Sequence, residues 1–178
     1  MSTPKLLAIS GALRAPSTNT MLLREAARLF GDAEIEFADI RFPLYDTDDE
    51  IATGIPAAVQ KLADQIATAD ALIISTPEYN KGIPGGLKNA LDWVSRCEGN
   101  PLGGKPIATM SAAAGRAGGE RAQLMLRECL VPFGPRLIVA PEVAVHDSSN
   151  QFDEKGQLVG DLYRANLEKL MQALRAAI

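Results

Sequence analysis

Two polar stretches carry the side chains best suited to chemistry. In "SGALRAPSTNT" (residues 10–20), Ser10, Ser17, Thr18, Asn19 and Thr20 gather around Arg14, with Gly11 at the turn. A helix starting here would offer free N–H groups and the positive end of its dipole to an anion. Hydroxyls, an amide and a guanidinium would add bonds to a terminal phosphate. The same residues also fit a plain helix cap beside a surface arginine, since Ser and Thr are favoured caps. The second stretch is "TPEYNKGIPGGLKNALDWVSR" (residues 76–96). Pro77 cannot continue a sheet ladder, so the chain leaves its strand and projects Glu78, Tyr79 and Asn80 over whatever lies beyond. Gly82, Gly85 and Gly86 allow the backbone to approach a partner closely. A flat polar ring suits such a loop, its edge meeting backbone groups and its face a tyrosine. A turn with a structural tyrosine is the plainer alternative.

Other reactive side chains support less. His146 is the single histidine, and no GxSxG elbow accompanies it, so a hydrolase is disfavoured. The carboxylates of "DTDDE" (residues 46–50) lack the glycine and terminal glutamate of a calcium loop and read as a solvated charge run in a turn-rich loop. Cys129 and Trp93 read as packing residues. Arg116 reads either as steering an anionic nucleotide or as a solvated helix-entry residue. Neither GxGxxG nor a GxxxxGK phosphate loop occurs.

The elements that must position these residues alternate. "KLLAIS", "EIEFADI", "DALIIST", "KPIATMSA" and "RLIVAPEVAV" read as five strands, the last interrupted by Pro141. Between and after them lie helical patterns. One carries Leu22, Ala26, Leu29 and Phe30; the next Val59, Leu62, Ala63 and Ile66; a third Leu87, Leu91 and Val94, with Pro84 in its first turn. "GERAQLMLRECLV" is a fourth, and the last holds Tyr163, Leu167, Leu170, Met171, Leu174 and Ile178 on one stripe. This rhythm predicts one α/β domain over residues 1–178, a three-layer sandwich around a five-stranded parallel sheet. Ligands then belong beyond the carboxyl ends of the strands, where strand order reverses. The loops after strands one, three and four are the ones to interrogate.

Composition narrows the class. With 47% hydrophobic and 22% charged residues, the chain reads as soluble and globular. A net charge of −4 leaves no basic footprint for nucleic acid or an anionic membrane. No apolar run approaches the ~18 residues of a membrane span, and no secretory pattern opens the chain. Cys97 and Cys129 form no CxxC, which suits a reducing cytoplasm.

The two stretches also carry a resemblance. "SGALRAPSTN" resembles the G-S-L-R-x-x-S-x-N loop, and "PEYNKGIPGGLKNALDW" the P-E-Y-N-x-S-x-P-G-x-L-K-N-A-x-D-W segment, of the NAD(P)H-dependent FMN reductases. These include quinone, azo-dye and chromate reductases. "SAAAGRAGGERAQLMLRECL" and "FDEKGQLVGD" resemble later blocks of the same family. The resemblance implies a flavodoxin-like fold with strand order 2-1-3-4-5. It implies FMN as cofactor, NAD(P)H as co-substrate, a small-molecule electron acceptor and a homodimer or homotetramer. Arg14, Ser17, Asn19, Ser10 and Thr20 would hold the FMN phosphate. Pro77, Glu78, Tyr79 and Asn80 would line the ring, with Ser111 and Gly115 approaching its other side. No catalytic side chain is required, because the flavin carries the hydride chemistry. The chain departs from the family pattern at Ala12 and Gly82, where Ser is usual. A phosphate donor lost at Ala12 should weaken binding by roughly 1.5–3 kcal/mol. The alternative of another class is a flavodoxin-like one-electron carrier, whose usual strong acidity this chain lacks. A flavin-free interaction protein on the same scaffold is a third.

Overall fold

The computed structural model describes residues 3–178. Its two central strands, β3 (Ala71–Thr76) and β4 (Pro106–Ala112), are buried at every position, as strands covered on both faces must be. β1 (Lys5–Ser10) is buried from Leu6 to Ile9, while β2 (Glu34–Phe37) lies at the edge and is largely exposed. All pair in parallel in the order β2-β1-β3-β4-β5, with β5 spanning Arg136–Ile138. Ser10 stands opposite Ser75, and Thr76 opposite Ser111, so β1, β3 and β4 end level with one another.

The predicted fifth strand is two strands. After β5 the chain passes the cis Ala140–Pro141 bond and re-forms as β6 (Ala144–Val145), also paired with β4. A proline has no N–H for the ladder, which accounts for the break. β6 pairs with Ser111 and Ala112 at the very end of β4, so it delivers the following residues, His146 to Asn150, to the carboxyl edge of the sheet.

Alternation along the strands divides the core. Leu6, Ala8, Ile73 and Met110 pack against α1 (Thr18–Phe30) and α6 (Asp161–Arg175) through Leu22, Leu23, Phe30, Leu167 and Leu170. Leu7, Ile9, Leu72, Ile74 and Ile107 meet the opposite layer through Leu62, Ile66, Leu87, Leu91, Leu126 and Leu130. That layer is α3 (Ala57–Thr68), α4 (Gly85–Val94) and α5 (Glu120–Leu130), and it follows α2 (Thr47–Thr53) in the chain.

Three expectations need correcting. The loop over residues 42–54 contains α2: Asp46 Oδ1 accepts from Asp48 N at 2.8 Å, and three further acids occupy the first turn. Carboxylates at the positive end of a helix cap it and offset its dipole, so the acidic run is a helix start. Pro84 is the residue preceding α4 rather than part of its first turn. On α6, Tyr163 is half-buried and Ile178 exposed, so the buried stripe is confined to Leu167, Leu170, Met171 and Leu174.

Candidate functional site

Where β1, β3 and β4 end, their following loops enclose a cavity of about 460 Å³. The loop after β1 reaches it because Gly11 N donates to Ser75 O at 2.8 Å. A Cβ on Gly11 would lie 3.0 Å from Leu87 Cδ2, so a larger residue would have to push that side chain aside. The chain then turns into α1, whose start lines the cavity with Arg14, Ser17, Thr18 and Asn19. Ser17 Oγ accepts from Asn19 N at 3.2 Å, so Ser17 is the helix cap and a wall residue at once.

Asn19 holds two strand ends to the start of α1. Its Nδ2 donates to Ala112 O at 2.8 Å, and its Oδ1 accepts from Ala112 N at 3.0 Å and from Ser75 Oγ at 2.8 Å. These bonds are buried, where hydrogen bonds are strong and lost partners costly. The amide thereby ties the N-terminus of α1 to β3 and β4.

The loop after β3 contributes Pro77, Glu78 and Tyr79. Residues 79–82 close as a tight turn, Tyr79 N donating to Gly82 O at 3.0 Å and Gly82 N to Tyr79 O at 3.1 Å. Asn80 and Lys81 have φ of 50° and 68°, the positive pair that a type I′ turn requires, and asparagine tolerates it well. Glu78 Oε2 accepts from Ala122 N at 3.4 Å, at the positive end of α5. Gly82 has a local cause: a Cβ there would lie 2.9 Å from Met125 Sδ, which also accepts from Ile83 N at 3.4 Å. The thioether fills the space that a serine side chain would need.

The loop after β4 supplies Ala112, Ala113 and Ala114, whose small side chains leave the cavity open. It is anchored from below. Ser111 Oγ donates to Gly118 O at 2.6 Å and accepts from Gln123 Nε2 at 2.9 Å. Gly118, at φ +61°, packs so tightly that a Cβ would come within 2.5 Å of Ala144 O.

Of the residues expected from sequence, Arg14, Ser17, Asn19, Pro77, Glu78 and Tyr79 meet at this cavity. Ser10 and Thr20 line an adjoining cavity of about 230 Å³, their hydroxyls 3.1 Å apart. Asn80 is exposed on its turn, and Ser111 is buried with its hydroxyl engaged beneath the loop. Gly115 is exposed, with open space where a Cβ would stand. Sequence reasoning missed Ser148 and Ser149, which reach the wall because β6 pairs with the end of β4. Ser148 Oγ accepts from Thr18 Oγ1 at 3.2 Å. The polar run "HDSSN" immediately after a strand was the available signal.

Neither cysteine belongs to the cavity wall. Burial pushes the Cys97 thiol above its ordinary value, and nearby Asp64 and Glu50 add to the effect. Burial raises Cys129 as well, against the opposing pull of Lys88. Both thiols are therefore poor nucleophiles.

A family described as NADPH-dependent FMN reductase matches residues 4–150. An NAD(P)H-dependent FMN reductase of Pseudomonas aeruginosa is 44% identical over 173 residues, covering 96% of this chain and 93% of the relative. A quinone reductase of Escherichia coli is 39% identical over 162 residues, covering 87% of this chain and 85% of the relative. Among solved structures, the flavoenzyme NAD(P)H:(acceptor) oxidoreductase FerB of Paracoccus denitrificans superposes with a TM-score of 0.87 at 29% identity, covering 98% of this chain and 96% of its own. Strand order, the position of the cavity and sequence likeness along most of the chain agree: the protein belongs to the NADPH-dependent FMN reductases.

Proposed function

We propose that this oxidoreductase takes a hydride from NAD(P)H through FMN held in the 460 Å³ cavity and passes it to a small acceptor by a ping-pong mechanism. The observation that carries the reading is the meeting of an anion-binding helix start and a small-walled cleft at the level ends of β1, β3 and β4. The donor set fits the group. Arg14, Ser17, Thr18, Ser148 and Ser149 supply a guanidinium and hydroxyls for a phosphate, beside the positive end of α1. Pro77, Glu78, Tyr79 and Ala112–Ala114 form the wall left for a ring, the alanines' small side chains leaving it room. Ser148 and Ser149 also bring hydroxyls to a wall where Ala12 has none.

Bound FMN would supply the hydride-accepting and hydride-donating centre, so no side-chain acid or base is assigned. The chain's own residues bind and orient. Arg14 neutralises the phosphate end, Asn19 fixes the spacing of the loops, and Glu78 is held by the start of α5. Tyr79 stands exposed at the rim, leaving the cleft accessible first to the reductant and then to the acceptor. Such a cleft suits quinones foremost, with free flavin, azo compounds and metal oxyanions as further acceptors. In the same reading the whole chain acts as one domain in the cytoplasm, as a homodimer or homotetramer. Exposed Leu124 and Met125 on α5 support assembly through that helix.

Initial rates with NADPH and a benzoquinone, each varied at several fixed concentrations of the other, test the mechanism. Parallel double-reciprocal lines are expected. Intersecting lines would require both substrates bound together and would remove the ping-pong assignment.

A further inference from the structure

Apart from Ala12 and Arg14, the adjoining cavity of about 230 Å³ is lined by residues that the proposed hydride transfer does not use. Arg14, Arg24 and Arg41 line it with a single carboxylate, Asp39. That carboxylate is already engaged: Arg41 Nη1 donates to Asp39 Oδ1 at 2.9 Å, while Nη2 donates to Leu13 O at 2.6 Å. Among the described residues Arg14 and Arg24 make no ion pair. With Arg14 assigned to the flavin phosphate, Arg24 is left as an uncompensated guanidinium in this cavity, in a chain whose net charge is −4. The Ser10 and Thr20 hydroxyls lie on the same wall. So does Phe37, which ends β2 and remains 45% exposed. Guanidinium groups and hydroxyls recognise phosphate, and an exposed aromatic face recognises a planar ring. The cavity also opens at the carboxyl ends of β1 and β2, and it shares Ala12 and Arg14 with the candidate site.

We infer that this cavity is a second binding site, for a phosphorylated nucleoside, with the phosphate on Arg24 and the base against Phe37. Two sources have this chemistry: the 2′-phosphoadenosine end of NADPH, or a separate free nucleotide. Only the first rests on the proposed function.

Calorimetric titration with adenosine 2′-monophosphate, with and without added FMN, tests the site directly. Saturable binding is expected, weakened roughly tenfold by Arg24→Gln, the worth of one charge-assisted hydrogen bond, and largely restored by Arg24→Lys. Phe37→Ala should weaken it separately. Arg24 is exposed on α1, so circular dichroism of these variants should match the parent. Steady-state kinetics then separate the sources. A roughly tenfold rise in KM for NADPH alone in Arg24→Gln, with kcat and the KM for NADH unchanged, identifies the co-substrate's 2′-phosphate. Weakened binding of adenosine 2′-monophosphate with both KM values unchanged identifies a free nucleotide. No saturable binding, or equal affinity in parent and Arg24→Gln, overturns the site. Because the titration needs no turnover, its result stands even if hydride transfer is absent.

Discussion

Asn19 concentrates much of the site's geometry. Its side chain satisfies Ser75 Oγ and both backbone groups of Ala112. Asn19→Ala would leave those buried groups without partners, at a cost of about 3 kcal/mol. We expect a lowered melting temperature and weaker flavin retention in the same variant. Unchanged melting with full retention would contradict the clamp. Arg14, by contrast, is exposed and makes no ion pair among the described residues, so its replacement should spare stability and affect ligand affinity alone. Gly82 shows how a departure from the family pattern arises from packing, since Met125 occupies the space beside it.

Among the elements, the start of α1 and the loop after β3 were legible because their cues are local; the loop after β4 reaches the wall through Ala113 and Ala114 rather than through the expected Ser111 and Gly115. Pro77 ends a strand, Ser17 begins a helix, and apolar runs alternate with helical stripes. Ser148 and Ser149 were missed although the polar "HDSSN" run follows a strand, because which strand ends it reaches depends on β6 pairing with the end of β4, and no local pattern reports that register. The helix at Thr47–Thr53 was hidden for another reason: its acids read as solvated charge, whereas Asp46 caps a turn that the same acids stabilise. Ser10 was expected at the phosphate from the loop's hydroxyl content and from sequence likeness; its hydroxyl bonds with Thr20 beside the second cavity. The 113–119 loop offers a test at this scale. Gly118→Ala would place a Cβ 2.5 Å from Ala144 O at a left-handed φ. The expected loss is about 3 kcal/mol, accompanied by poorer flavin retention, read by thermal melting and by a desalting assay. Parent-like values in both would show that the loop tolerates a shift away from β6.

For the whole molecule, parallel strands ending level create one crowded edge, and the reversal of strand order between β1 and β3 opens a crevice there. The site residues reach that edge from loops and from the ends of α1 and β4 that border them, while the packed faces of both helix layers are apolar. The central claim is that this edge holds FMN, and visible absorption of the purified protein after FMN addition and desalting tests it most directly. The account predicts flavin absorbance retained at roughly one FMN per chain, with affinity lowered roughly tenfold or more in Arg14→Gln. Flavin lost completely on desalting, at every concentration tried and in parent and variant alike, would contradict it.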